Sequence, residues 1–316
     1  MANEVTTTTL NDLTNASLVE PYLIRALSEQ PGLYKFAKEF DLRGKGTNAL
    51  KIPSETSWWG TAPDDGAGVD TEFDATEATA LGNTVISTGV VTLTCAEYGV
   101  AIEVTDNVGE DSVDGLDAMM RFESRMLHVI SLAMEDDFLA LFASLSNVVG
   151  SSGVDPTIAQ ILSSLTGLRT RGVNADSTVM ILDNVQAVDV EGLFVSASTS
   201  AAVFALSADR VLNWQPTADN GLLSRMASTF RGVPVFTTGM TDTANAGADV
   251  VGATFTPSSA YNDSTGHTTF GMGWARMPTF ETQRQAKMRA TDLVMTCRAG
   301  FVELLDGSGA AIITDA

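Results

Sequence analysis

Residues 112–147 run SVDGLDAMMRFESRMLHVISLAMEDDFLALFASLSN, without a proline and with one glycine, Gly115, near the start. Val113, Leu116, Met120, Leu127, Met134, Phe138, Leu141 and Leu145 recur at helical spacing. Met119, Phe122, Met126, Val129 and Ala133 widen that stripe. Asp111, Asp114 and Asp117 suit the positive end of a helix dipole. The spacing predicts one helix over 112–147, roughly 50 Å long at ~1.5 Å per residue. A helix of that length draws its stability from a surface to lie on. Its two apolar sides call for cover on more than one side.

The flanking sequence is of a different kind. Upstream, Thr84–Gly89 and Val90–Thr94 are rich in β-branched residues, and Tyr98–Val104 alternates as a half-buried strand does. Before them lie two tryptophans, Trp58 and Trp59, and an acidic Gly/Asp tract from Pro63 to Asp74. A polar tip between strand-like flanks predicts a long β-hairpin. Residues 1–10 are polar and Thr-rich. Residues 11–41 predict a short helical arm, with Leu13, Leu18, Tyr22, Leu23 and Leu27 at helical spacing and Leu33, Phe36 and Phe40 continuing the face.

Downstream, 156–170 predicts an amphipathic helix through Ile158, Ile161, Leu162, Leu165 and Leu168. Val179–Leu182 is a short apolar strand, and Asp183-Asn184 opens a helix over 185–194. Phe230–Phe236 enters another buried strand, and 237–248 is a loop. Extended pieces follow at 250–255, 268–272, 279–289, 293–305 and 310–314. The sequence is therefore α+β, with strands in the first and last thirds around a middle lobe.

The bulk numbers exclude several classes. The 316 residues are 44% hydrophobic and only 18% charged, against ~25% charged in ordinary soluble domains. Such a chain builds a large core and buries further surface against partners. The net charge of −21 repels nucleic acid over most of the surface. Cys95 and Cys297 have no metal-ligand spacing and suit small buried thiols. No apolar run approaches the ~18 residues of a membrane span. The N-terminal residues lack the basic and apolar regions of a secretory signal, so manufacture in the cytoplasm is expected.

Motifs for catalysis are sparse. The two histidines are His128, inside the long helix, and His267, in an Asn-Asp-Ser-Thr-Gly loop. No G-x-S-x-G elbow accompanies them. Gly44-Lys45-Gly46-Thr47 lacks the upstream glycine of a phosphate loop. The carboxylates at Asp64, Asp65, Asp70, Glu72 and Asp74 do not have EF-hand spacing. Asn15-Ala16-Ser17 fits a glycosylation pattern only by chance when no secretory signal precedes it. The expectation is no enzyme, no cofactor and no metal, with a hydrolase using His267 as the competing reading.

Charge is segregated along the chain. Arg25, Lys35, Lys38, Arg43, Lys45 and Lys51 precede a window, 52–120, that holds 14 acidic residues and no lysine or arginine. Arg276, Arg284, Lys287, Arg289 and Arg298 cluster near the end. This is either a solvated surface or a set of complementary contacts that fix register between neighbouring copies. The tryptophan pair packs either on its own chain or on a neighbour.

The order of elements resembles the tailed-bacteriophage major capsid proteins, the Hong Kong 97 fold. Thr14–Val19 with Leu33–Phe36 looks like that family's N-arm. Phe230-Arg231-Gly232-Val233-Pro234-Val235 is similar to its strand after the axial lobe. Phe280–Arg289 with Leu293–Phe301 looks like its closing strand pair, and Ala310–Ile313 like its final strand. The resemblance covers almost the whole chain. It implies an N-terminal arm (1–51), an extended E-loop hairpin with the first peripheral strands (52–110) and a spine helix (111–150). An axial domain (151–252) and returning peripheral strands (253–316) complete it.

It further implies a subunit forming pentamers and hexamers of an icosahedral head around double-stranded DNA, located in the virion and assembled in the host cytoplasm. Portal and scaffold proteins, and a possible cement protein, would be its partners, and no membrane is involved. An encapsulin-like compartment shell is the alternative. The residues expected at contacts between copies are Trp58, Trp59, Arg25, Lys35, Lys38, Arg43, Lys45, Lys51, Arg284 and Arg289. No long cleavable scaffold region is seen in this sequence, so either a separate protein supplies scaffolding or the sequence is that of the mature form. The family's lysine, asparagine and glutamate crosslinking positions find no match here.

Overall fold

A computed structural model describes residues 4–5, 31–57, 87–107, 115–170, 178–190, 226–230, 233–244, 247–258 and 268–315. The early strands are β1 (Glu4–Val5), β2 (Lys38–Asp41), β3 (Ala49–Ser57), β4 (Ser87–Thr94) and β5 (Ala96–Thr105). Helix α1 (Gly115–Ala140), β6 (Val148–Gly150), α2 (Ile158–Thr170) and β7 (Val179–Asp183) follow. Next come β8 (Met226–Phe230), β9 (Val233–Thr238), β10 (Thr243–Ala244) and β11 (Asp249–Phe255). The last strands are β12 (Phe270–Gln285), β13 (Ala290–Glu303) and β14 (Gly309–Asp315). The α+β expectation holds.

A five-stranded sheet has the order β1-β5-β13-β12-β2. Early strands thus pair with late ones, and β13 runs antiparallel to β5 from Ala290↔Thr105 to Ala299↔Ala96. A seven-stranded sheet has the order β6-β14-β11-β7-β9-β8, with β10 added on β11. The boundary expected between 252 and 253 falls inside β11, and β14 joins this second sheet rather than the sheet of the early strands. Its Ala310, Ala311 and Ile312 are buried there, which a place between two strands requires and an edge would not.

Helix α1 lies across both sheets. Met126, Ile130, Met134, Phe138 and Leu139 are at most 3% exposed. Phe138 touches Phe255 of β11 and Phe270 of β12 edge-on, at ring distances of 6.2 and 5.5 Å. Phe142, Phe255 and Phe270 close the cluster. One core therefore serves both sheets. A second core lies under α2, from Ile161, Leu165, Met180, Leu182, Val233 and Ile312.

The helical register differs from the expected one. Leu127 and Val129 are 43% and 41% exposed, because the Met126–Ile130–Met134–Phe138 line takes the buried face. The helix gives way at Leu141–Ser144 to a 3-10 turn, where the Ser144 hydroxyl donates back to the Leu141 carbonyl at 2.7 Å. The first part of the expected helix, 112–114, lies outside the described residues.

Helix α2 starts on a reciprocal cap. Thr157 N donates to Gln160 Oε1 at 2.8 Å, and Gln160 N donates to Thr157 Oγ1 at 3.2 Å. Residues 184–190 are helical and begin in the same way. Asp183 N donates to Gln186 Oε1 at 3.1 Å, and Val185 N donates to Asp183 Oδ1 at 2.8 Å.

The arm expected to be helical over 11–41 is described from residue 31. Leu33–Phe36 is one 3-10 turn, and Lys38–Asp41 is strand β2, parallel to Gly271–Trp274. Phe40 lies on Gly271, where an added Cβ would come within 3.0 Å of its ring. Packing on a neighbouring strand overrides the helical spacing of Leu33, Phe36 and Phe40.

Candidate subunit-contact surfaces

The strands β3 and β4 form an antiparallel hairpin, from Ala49↔Thr94 to Ser57↔Ser87, as the sequence predicts. Its base is anchored. Leu93 is fully buried with Leu42 and Cys95, and Leu50 and Ile52 pack on them. Above the base the side chains turn outward. Val90, opposite Pro53, is 62% exposed, and Lys51, Pro53 and Thr92 are exposed. An apolar pair held out on a two-stranded ribbon is costly in water, and isolated ribbons are marginal. Trp58, Trp59 and the acidic tract beyond lie outside the described residues.

The basic positions sort into two kinds. Arg43 closes on Asp41 through Nε and Nη2, both at 2.8 Å. These hydrogen bonds hold the Asp41 carboxyl down at about 2. Arg284 of β12 grips Asp106 through both terminal nitrogens, one at 2.6 Å, and holds that carboxyl below the usual aspartate range. The same guanidinium donates to the Ala290 carbonyl at 3.2 Å. These two arginines are thus paired within their own chain. Lys35, Lys45, Lys51 and Arg289 are exposed, and Lys38 stands 5.9 Å over the Phe40 ring. Lys45 sits between Gly44 and Gly46, whose φ values of 71° and 66° make the tight turn into the hairpin. Arg289, at φ 50°, closes the β12–β13 turn. Arg25 lies outside the described residues.

Strand β12 carries a second candidate surface. Its inner residues Gly271–Trp274 pair with β2 on one side and β13 on the other. Among the described residues, from Arg276 to Gln285 it pairs with β13 alone, which leaves its other edge without a ladder partner there. Pro278 falls at the register shift between Arg276 and Thr279, where no pair with β13 is made, and Met277 and Met288 are 42% and 58% exposed. Arg276 is fixed by Glu97 and Thr296, both at 2.8 Å. Further apolar side chains project at Val154, Val185 and Val188.

Sequence reasoning missed Glu135, a fully buried carboxylate on the inner face of α1. It accepts the backbone N–H of Leu33 at 3.0 Å and that of Gly32. The signal was its place four residues before Leu139 on the buried stripe. Gln186 is also fully buried, and its amide donates to Val250 O, Ile312 O and Thr314 Oγ1 within 3.2 Å. Burial pushes the Cys297 thiol up to about 11 and raises Cys95 as well. The His128 imidazole is lowered by partial burial and by Arg125. His267 lies outside the described residues. Among the described residues no group of three or more potential ligands could hold a metal ion, and no helix is long and apolar enough to cross a membrane.

No family model and no curated protein matches the sequence. Solved structures do match the fold. A chain of Mycobacterium phage Che8 is 14% identical, with a TM-score of 0.59 over 93% of this chain and 95% of that one. The head structure of Helicobacter pylori bacteriophage KHP40 is 10% identical, with a TM-score of 0.61 over 95% of each chain. The holo-SrpI encapsulin complex from Synechococcus elongatus PCC 7942 is 8% identical, with a TM-score of 0.59 over 92% and 91%. Matches over nearly the full length of phage-head chains show that this chain has the Hong Kong 97-like capsid fold of the tailed-phage shell proteins.

Proposed function

We propose that this chain is a major capsid protein, a shell subunit that assembles with copies of itself into pentamers and hexamers of a phage head around double-stranded DNA. The observation that carries the reading is the β3–β4 hairpin, rooted by Leu93 and exposing Val90 and Pro53, on a chain whose fold is that of phage-head proteins. A neighbouring copy supplies the burial this ribbon lacks among the described residues of its own chain. Ring closure around the lobe built on the seven-stranded sheet is a heterologous contact repeated by rotation. The exposed lysines of the arm and the acidic hairpin give complementary partners between copies. A net charge of −21 suits a wall that does not grip the packaged DNA. Portal and scaffold proteins are the other expected partners, and the virion the location.

Negative-stain microscopy of the expressed protein tests this, with and without residues 58–74. Closed particles from the full chain, and only soluble subunits from the deletion, are the expected pair of results. Normal shells from the deletion would remove the hairpin from the argument. The encapsulin match supports a second reading, a compartment around a cargo protein. Co-purification of one stoichiometric cargo protein in place of DNA would favour it.

A further inference from the structure

An aspartate followed by glycine is a chemically weak point in a protein chain. The glycine has no Cβ to shield its nitrogen, which can attack the aspartate carboxyl. The nitrogen bonds to Cγ, and one carboxyl oxygen leaves as water with the acid proton and the amide proton. Water then opens the resulting five-membered imide. Opening at the main-chain carbonyl leaves an isoaspartate, and one extra carbon enters the main chain. Nothing is oxidised or reduced, and no other reactant is needed. The sequence has three such pairs, Asp65-Gly66, Asp114-Gly115 and Asp306-Gly307. The third is the pair with both residues described.

The fold puts this pair where a longer main chain has no room. Asp306–Ser308 is a 3-10 turn between β13 and β14. Directly after it, Gly309 pairs with Phe255 of β11. An added Cβ at Gly309 would lie 2.7 Å from a Leu145 methyl and 2.9 Å from the Thr269 methyl, so the entry to β14 has no slack. Asn147 Nδ2 donates to Gly309 O at 3.1 Å and fixes the same point. One extra main-chain carbon here would push β14 out of register in its slot between β6 and β11.

Two features hold the reaction off. Ser146 N donates to Asp306 Oδ1 at 2.8 Å, and the Ser146 hydroxyl donates to Asp306 Oδ2. Both carboxyl oxygens are thus held by a residue 160 positions away, and Cγ must break both bonds to turn onto the Gly307 nitrogen. The turn itself is closed by Ser308 N donating to Leu305 O at 3.2 Å and by Gly309 N donating to Asp306 O. Ring closure needs the Gly307 nitrogen on the Cβ side of Asp306, and a 3-10 ψ of roughly −20 to −30° holds it away. Water is not what is withheld, because Gly307 is half-buried and the space beside it is open. We propose that Asp306-Gly307 is a site of isoaspartate formation that Ser146, as a positioning residue, keeps closed in the folded chain. The guard belongs to the single chain and stands apart from the shell reading.

Ageing the full-length protein in mildly acidic buffer at body temperature tests it. Enzymatic methylation of isoaspartyl carboxyls, followed by peptide mass spectrometry, locates each one. Urea-unfolded protein gives the unguarded rate, and residue 306 should convert there. In the folded wild type, conversion at 306 should be at least roughly tenfold slower, and Ser146→Ala should raise the folded rate roughly tenfold, the scale of one hydrogen bond to a charged group. Ser146→Thr keeps both donors and should age as slowly as wild type. Adding Gly307→Ala to Ser146→Ala shields the nitrogen and should silence residue 306 again. Wild type converting as fast folded as unfolded, no conversion in urea, or Ser146→Ala ageing no faster than wild type would overturn the proposal. The folded-against-unfolded comparison needs no variant, so it decides even if Ser146→Ala folds poorly.

Discussion

Replacing Glu135 separates two roles that a buried carboxylate can have. Its Oε2 alone takes both N–H groups, from Gly32 and Leu33. Those are the opening amides of the turn Leu33–Phe36, and its N-cap residue, Gly32, offers no side-chain cap. The turn in turn delivers Leu33 and Phe36, both fully buried, into the main core. Phe36 meets Phe236 edge-on at 5.0 Å. Glu135→Ala leaves two buried donors without this acceptor, at about 1–3 kcal/mol each, and a cavity besides. The expected loss is about 3–5 kcal/mol. Glu135→Gln keeps one carbonyl oxygen in the same place and loses only the charge assistance, about 1–2 kcal/mol. In urea unfolding of unassembled subunits, the midpoint should fall in that order with little change in slope. Equal losses from Gln and Ala would refute the acceptor argument. A loss under ~1 kcal/mol from Ala would show that the turn does not depend on this carboxylate.

Two further predictions follow from close packing. At Gly300 an added Cβ would collide with the Thr94 carbonyl oxygen and approach its carbon at 2.9 Å. Gly300→Ala should therefore force β13 from the hairpin root and cost about 1–3 kcal/mol, read as a lower melting midpoint. Cys297, fully buried and with its thiol raised to about 11, should resist a thiol reagent near pH 8 in the folded subunit. It should react fully after unfolding, and rapid labelling of native protein would contradict the burial.

The sequence made the long helix, the hairpin, α2 and the late strand pair legible, because each carries a strong local period. The phase of α1 was harder to see. Apolar residues lie on two of its faces, and only the sheets beneath decide that Met126 and Ile130 go in while Leu127 and Val129 stay out. Strand β12 reads in the sequence as two pieces, 268–272 and 279–289, on either side of Pro278. It is one strand because Pro278 falls at the register shift between Arg276 and Thr279, where the ladder with β13 makes no pair. The partners of β14 could not be read locally, since they lie far away in the chain. At the contact surfaces, the exposed lysines were legible as charge. The pairing of Arg43 with Asp41 and of Arg284 with Asp106 depends on local turns and sheet register that composition does not reveal.

The position of β14 has a bearing on the order of events during synthesis. It is the last strand in chain order, yet it fills the slot between β6 and β11. A ribosome that has made everything up to residue 308 has produced a sheet with a missing inner plank. The main apolar cluster includes Ala311, so it too stays unsealed until that point. Pairings across such sequence distances form slowly. An interrupted chain should therefore stay soft and open to proteases, and fragments would be cleared before they could compete with whole molecules.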